Sequence, residues 1–397
     1  MVDERRGRGL QEHKLYVGAV GSTQAKVLTK SETMAVYASG YLLFLRGQTL
    51  VAQPFNAQRA EIVGDASPVA EHVAGDTNSN HPIFWPSDNG ILVYQPGDEA
   101  VPDEKLAWVT RDGKQSSVIS LGEDYQALAL SPDGTRLAVA IVDRGLGTEN
   151  SWILDLQRGT KTRLTFGGGT QSFPVWAADG KTVNYSSTSQ GPTHIFAKSA
   201  DGTGEERVVL GGDNEMVVPG STSADGKYLA YVYRAISEGR TIFDIWALPL
   251  SGDGKPFSVV HNNFGGGRPA VSGDGKWMAY SSRESGREEI YIIAFPGGGA
   301  KWQVSTTGGL QPEWRKDGRE QFFLDPSNNF MAVDVRTANS AVKLGIPHVL
   351  FKPAGVNQYF WFVVNADGKK FVFDIVNSRD ASQPFALVQN RTADLKK

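Results

Sequence analysis

One short phrase recurs eight times along this chain: small or polar residues, an Asp-Gly step or a close variant, then a strongly apolar run. The marker glycines are Gly40, Gly90, Gly134, Gly180, Gly226, Gly275, Gly318 and Gly368, at intervals of 50, 44, 46, 46, 49, 43 and 50 residues. The segment from Ser172 shows the unit: SFPVW, the turn AADG, then KTVNYSS, HIFAKSA, DGTGEE and RVVL, four short strands joined by turns. Asp-Gly is a strong hairpin signal, because glycine reaches positive φ without strain and aspartate accepts bonds from nearby backbone N–H groups. A period in the forties with strands between the marks predicts an all-β β-propeller of four-stranded antiparallel blades. Eight units give eight blades, with seven as the fallback, and leave no room for a second domain. The expected organisation is a disordered segment over 1–13, the propeller over 14–389 and a tail over 390–397.

Second strands follow the markers as YLLFLR (41–46), ILVYQP (91–96), RLAVAI (136–141), YLAYVY (228–233), WMAYSS (277–282) and KFVFDI (370–375). Several are apolar throughout, as blades covered on both faces require. Closure is expected from pairing the chain ends: AKVLTK (25–30) completing a last blade made of FVVNADG, KFVFDI and PFALVQ (384–389). KLYVGAV (14–20) is then one strand too many, which reads as a piece of a longer repeat array.

Trp85, Trp176 and Trp314 stand three residues before a marker aspartate. Because that position follows the repeat, they read as wedges between blades. The marker aspartates Asp88, Asp133, Asp179, Asp225, Asp274, Asp317 and Asp367 likewise read as turn chemistry, since single carboxylates so far apart lack the ligand spacing of a calcium site.

The phrases SPDGTRLAVA, WAADGKTVNYSS and SADGKYLAYVY resemble the TolB-type, WD40-like (PD40) propeller repeat of bacteria. Across 41–58, 154–166, 244–257 and 301–324 the chain also resembles the C-terminal propeller region of large bacterial serine/threonine protein kinases. In those proteins a cytoplasmic kinase domain is followed by a membrane span and a repeat-rich sensor region. The resemblance implies a sensor module outside the cytoplasmic membrane. The kinase's own chemistry does not carry over, because the sequence has no Gly-rich phosphate loop of kinase form, no HRD-type loop and no DFG-type motif.

No catalytic, cofactor or metal constellation stands out. Gly180-Lys181-Thr182 mimics the end of a P-loop, but a hairpin turn accounts for it. The six histidines are scattered singly, cysteine is absent, and no G-x-S-x-G elbow occurs. A formal net charge of −3 with dispersed Lys and Arg argues against a nucleic-acid surface. No run approaches the ~18 apolar residues of a membrane span. The N-terminal MVDERRGRGLQEHK has no apolar core of the signal-peptide kind, so compartment stays open.

Function is therefore sought in the irregular loops between units, at Asp76, Asn78, Asn80, His81, Gln171, Asn214, Arg268, Gln311 and Tyr359. Such side chains converging over a channel would suit a small polar ligand or a protein segment. The expectation is a monomeric, non-catalytic binding or sensor module without cofactor. The alternative is a propeller lyase or hydrolase with His and carboxylates gathered in the channel.

Overall fold

The structure, a computed structural model, describes residues 13–18, 25–31, 33–46, 49–71, 73, 75–76, 81–87, 89–96, 104–143, 148–166, 169–189, 191–211, 216–237, 240–252, 254–261, 264–338, 341–352, 361–376 and 385–388. Among these every regular element is a strand. The chain divides into two compact units, Pro102–Asn377 and a second made of Met1–Val101 with Ser378–Lys397.

The larger unit contains six sheets among the described residues, each running antiparallel from an inner to an outer strand. Blade 1 is Asp124–Leu130, Arg136–Asp143, Thr148–Asp155 and Thr160–Arg163. Blade 2 is Gln171–Trp176, Thr182–Ser187, His194–Ser199 and Arg207–Leu210. Blade 3 is Met216–Thr222, Tyr228–Ser237, Arg240–Pro249 and Phe257–Val260. Blade 4 is Gly267–Val271, Trp277–Ser282, Glu289–Ala294 and Lys301–Gln303. Blade 5 is Leu310–Trp314, Glu320–Leu324 and Phe330–Ala338, the last paired with both Ala341–Leu344 and His348–Phe351. Blade 6 takes its inner pair, Phe362–Val364 and Lys370–Val376, from the end of the unit, and its outer pair, Glu104–Thr110 and Gln115–Leu121, from the beginning.

Apolar clusters fill every interface of this ring. Leu106, Leu137, Val139 and Val372 lie between blades 6 and 1, and Ile153, Trp176, Val183 and Phe196 between 1 and 2. Ile195, Val217 and Tyr231 join blades 2 and 3; Ile245, Met278 and Tyr291 join 3 and 4. Ile290, Trp314 and Val333 join 4 and 5, and Phe322, Phe330, Phe362, Phe371 and Phe373 join 5 and 6. Two tryptophans wedge between blades as expected: Trp176 Nε1 donates to Ala129 O at 2.9 Å and Trp314 Nε1 to Ala270 O at 3.0 Å. Trp85, in the smaller unit, departs from that reading; it is 57% exposed and meets Phe385 edge-on at 5.8 Å.

All eight marker glycines have φ between 63° and 88°, which is why the turn demands glycine there. The aspartates organise the same turns. Asp133 Oδ1 accepts from Ser131 Oγ at 2.5 Å and from Thr135 N at 3.0 Å, and these bonds hold its carboxyl at about 2. Asp179, Asp225, Asp274, Asp317 and Asp367 accept from the backbone N–H two residues on. Asp88 lies outside the described residues.

In the smaller unit, Val36–Ala38, Tyr41–Arg46 and Thr49–Asn56 form a sheet whose last strand also pairs Glu61–Ile62 and Ser67–Ala70. Phe84–Pro86, Leu92–Tyr94 and Ala386–Val388 form another. Among the described residues the eight repeats thus map onto eight of the sheets, with two further two-stranded ladders beside them, and the ring of the larger unit closes over six. The expected closure is also different. Lys370–Val376 is already occupied along its outer edge by Glu104–Thr110, with Val372 opposite Trp108. No edge is left there for AKVLTK, so Ala25–Ser31 pairs with His13–Gly18 and the strand within 384–389 pairs with Leu92–Tyr94. The supposed surplus strand is half of a hairpin.

Candidate functional site

The inner strands of blades 1 to 5 each carry a break in register, at Tyr125/Ala127, Ser172/Val175, Pro219/Ser221, Gly267/Ala270 and Leu310/Glu313. A bulge of this kind bends the strand and re-aims a side chain. In three blades the re-aimed residue has left-handed backbone: Phe173 at φ 52°, Arg268 at 51° and Gln311 at 55°. Such a conformation is uncommon for non-glycine residues and costs on the order of 1 kcal/mol each. Each of the three sits six residues before its marker aspartate, and so does Trp361 in blade 6. The same offset falls on Ala127 in blade 1 and Pro219 in blade 3.

These four side chains meet. The Arg268 guanidinium lies 4.9 Å from the centre of the Trp361 ring. Phe173 meets Trp361 edge-on at 5.8 Å and 64°. Arg268 Nη1 donates to Gln311 Oε1 at 3.1 Å, and Gln311 Nε2 donates to Phe362 O at 3.0 Å. Blades 2 and 6 are not neighbours in the ring, nor are blades 4 and 6. Contacts between them cross its centre, so the cluster occupies the axis.

Glu313, two residues beyond Gln311, is the acidic member. Burial pushes its carboxyl up to about 8, against the opposing pull of Arg268. Burial also pulls Arg268 down from its ordinary value, while Glu288 and Glu313 act the other way. The axis therefore pairs a partly desolvated cation with a carboxyl that stays largely protonated at neutral pH.

Of the residues singled out from sequence, Arg268 and Gln311 are brought together here. Gln171 is buried, and its carbonyl accepts from Ser151 Oγ at 3.0 Å, tying blade 2 to blade 1. Asp76 and His81 face one another in a two-residue ladder of the smaller unit. Asn78, Asn80, Asn214 and Tyr359 lie outside the described residues. Phe173 and Trp361 were not anticipated, although their constant offset from the marker aspartate was available as a signal. Among the described residues no group of three or more His, Asp or Glu side chains could hold a metal ion. A His–Asp pair does exist, His261 Nδ1 to Asp244 Oδ2 at 2.7 Å, but it belongs to the outer two strands of blade 3 and the segment that follows them.

A family profile described as the TolB beta propeller domain (PD40) matches residues 110–254, from the outer half of blade 6 into blade 3. Comparison with curated proteins finds no match. Among solved structures, the putative TolB from Agrobacterium tumefaciens is 18% identical, with a TM-score of 0.53 over 69% of this chain and 98% of that one. TolB from Acinetobacter baumannii is 14% identical, with a TM-score of 0.46 over 84% of this chain and 78% of that one. An oligogalacturonate lyase in complex with manganese is 15% identical, with a TM-score of 0.45 over 78% and 81%. The family match and the first of these structures support a TolB-like β-propeller fold. Fold alone does not carry activity.

Proposed function

We propose that the six-blade unit is a non-catalytic binding module whose site is the axial cluster of Phe173, Arg268, Gln311 and Trp361. The observation that carries this reading is the convergence of one repeat position from four blades on the axis. Three of the four hold an unfavourable backbone conformation, and such strain concentrates at functional sites. The four residues combine two aromatic faces, an arginine and an amide, a composition suited to a polar ligand or an extended protein segment, and none of the four is a nucleophile or a general base. The Glu313 carboxyl beside them, raised by burial to about 8, is largely protonated at neutral pH. The phrase-level resemblance to receptor kinases extends the reading: the module is the sensor part of such a receptor, working outside the cytoplasmic membrane.

A panel of polar metabolites and short peptides, followed by calorimetric titration of the full chain and of Trp361→Ala, tests the proposal. The expected result is a saturable ligand whose binding is lost in the variant. Ligands that bind both proteins equally, or a substrate consumed at the axis, would overturn it.

A further inference from the structure

Resting on the axis as the binding site, we infer that its ligand presents a carboxylate to Arg268, laid flat against Trp361. Arg268 is held as a fork awaiting a planar anion. Its guanidinium is fixed on one side by the indole at 4.9 Å and on another by Gln311, whose own amide is anchored on Phe362 O. Nη1 spends one hydrogen on Gln311, and no other hydrogen bond reaches the guanidinium among the described residues. Five N–H donors in a rigid plane suit a bidentate carboxylate.

The fork's acidic neighbours do not fill this role. Neither Glu288 nor Glu313 comes within ion-pair distance of Arg268, and both act on it only through the longer-range field. Glu288 is itself engaged by Arg283 at 3.6 Å. The raised Glu313 carboxyl remains protonated at neutral pH and so does not compete for the cation. A half-buried arginine kept at φ 51° in a bulge, with one hydrogen bond made, leaves its remaining donors open to an incoming anion. The same neighbours favour a monoanion over a phosphate. One arginine, with the Glu288 carboxylate in its field, supplies too little positive charge for a dianion, and the aromatic wall of Phe173 and Trp361 fits a flat group better than a tetrahedral one.

Three probes that share one ring and differ in head group decide the matter: benzoate, benzamide and phenyl phosphate, each titrated at pH 7 by ligand-observed NMR. The proteins are the full chain, Arg268→Gln, Arg268→Lys and Trp361→Ala. Benzoate is expected to saturate, with benzamide and phenyl phosphate at least 10-fold weaker. Arg268→Gln should weaken benzoate at least 10-fold, and Arg268→Lys should recover part of the loss, because a point charge replaces the fork. Equal binding of benzoate and benzamide, both abolished by Trp361→Ala, would overturn the carboxylate while leaving the axial site intact. Benzoate binding unchanged in Arg268→Gln, or no saturation by benzoate, would also overturn it.

Discussion

Replacing Glu313 by glutamine should change how stability depends on pH, and the size of the change follows from the site. Burial raises the carboxyl from 4.5 to about 8. Between those values the native state keeps a proton that the unfolded chain has released, so stability falls as pH rises and levels off above about 8. Each unit is worth about 1.4 kcal/mol, giving a ceiling of ~5 kcal/mol over the window. Glu313 retains some solvent contact, which reduces the expected span to on the order of 2–3 kcal/mol. Glu313→Gln keeps the shape and cannot titrate. Asp374, also raised to about 8 by burial and by Glu104 and Asp124, tilts both proteins in the same sense, so only their difference isolates Glu313. Urea denaturation at half-unit steps from pH 4.5 to 9 should show the glutamine variant gaining on the parent by 2–3 kcal/mol up to about pH 8 and holding that gain above it. Parallel profiles would refute the reasoning, because they would mean that Glu313 titrates alike in the folded and unfolded chains.

Two further perturbations address the ring itself. Glu320, buried in blade 5, accepts from Arg111 and Arg315, each through Nη1 to Oε2 at 3.1 Å, and so fastens blade 5 to the start of the unit. Glu320→Gln should cost about 2–3 kcal/mol in urea denaturation, since two partly buried guanidinium groups lose their counter-charge; a cost under 0.5 kcal/mol would show that solvent replaces it freely. A Cβ at Gly273 would stand 1.8 Å from the Lys316 carbonyl oxygen of the blade 5 turn, whereas one at Gly159 meets nothing within 4 Å and suffers only its φ of +66°. Gly273→Ala should therefore cost about 2–3 kcal/mol and Gly159→Ala about 1 kcal/mol, and the reverse order in thermal denaturation would sink the packing argument.

The Asp-Gly turns were legible because their chemistry is local: aspartate accepts from the N–H two residues on, and glycine supplies positive φ. Ring size was not legible, because closure is a contest between edges far apart in sequence. The segments around Lys14, Ala25, Lys105 and Phe385 all offer short apolar stretches that could complete a blade, and pattern alone does not say which reaches the open edge of Lys370–Val376. The site divides in the same way. Arg268 and Gln311 drew notice as polar residues in connections, while Phe173 and Trp361 were masked by the general abundance of aromatics in strands. What unites the four is an offset from the turn, and that offset acquires meaning once the bulge is seen to aim it at the axis.

Whether the axial cluster exists for binding or merely plugs the ring is decided by Arg268→Gly. Glycine adopts φ 51° without strain, recovering on the order of 1 kcal/mol, and returns about 0.5–1 kcal/mol of that through the greater freedom of the unfolded chain. The variant also forfeits the contact with Trp361, worth about 0.5–1 kcal/mol, and a hydrogen bond to Gln311 worth roughly as much. Against these losses stands release of the desolvation that depresses the arginine. The terms nearly cancel, so a residue retained for its ligand should leave stability within about 1 kcal/mol when removed, in contrast to the 2–3 kcal/mol of Glu320→Gln. Benzoate binding should fall at least 10-fold in the same protein. A loss of more than 2 kcal/mol would place Arg268 with Glu320 among the clasps of the ring, and the strain in its backbone would then be a cost of closure rather than a preparation for binding.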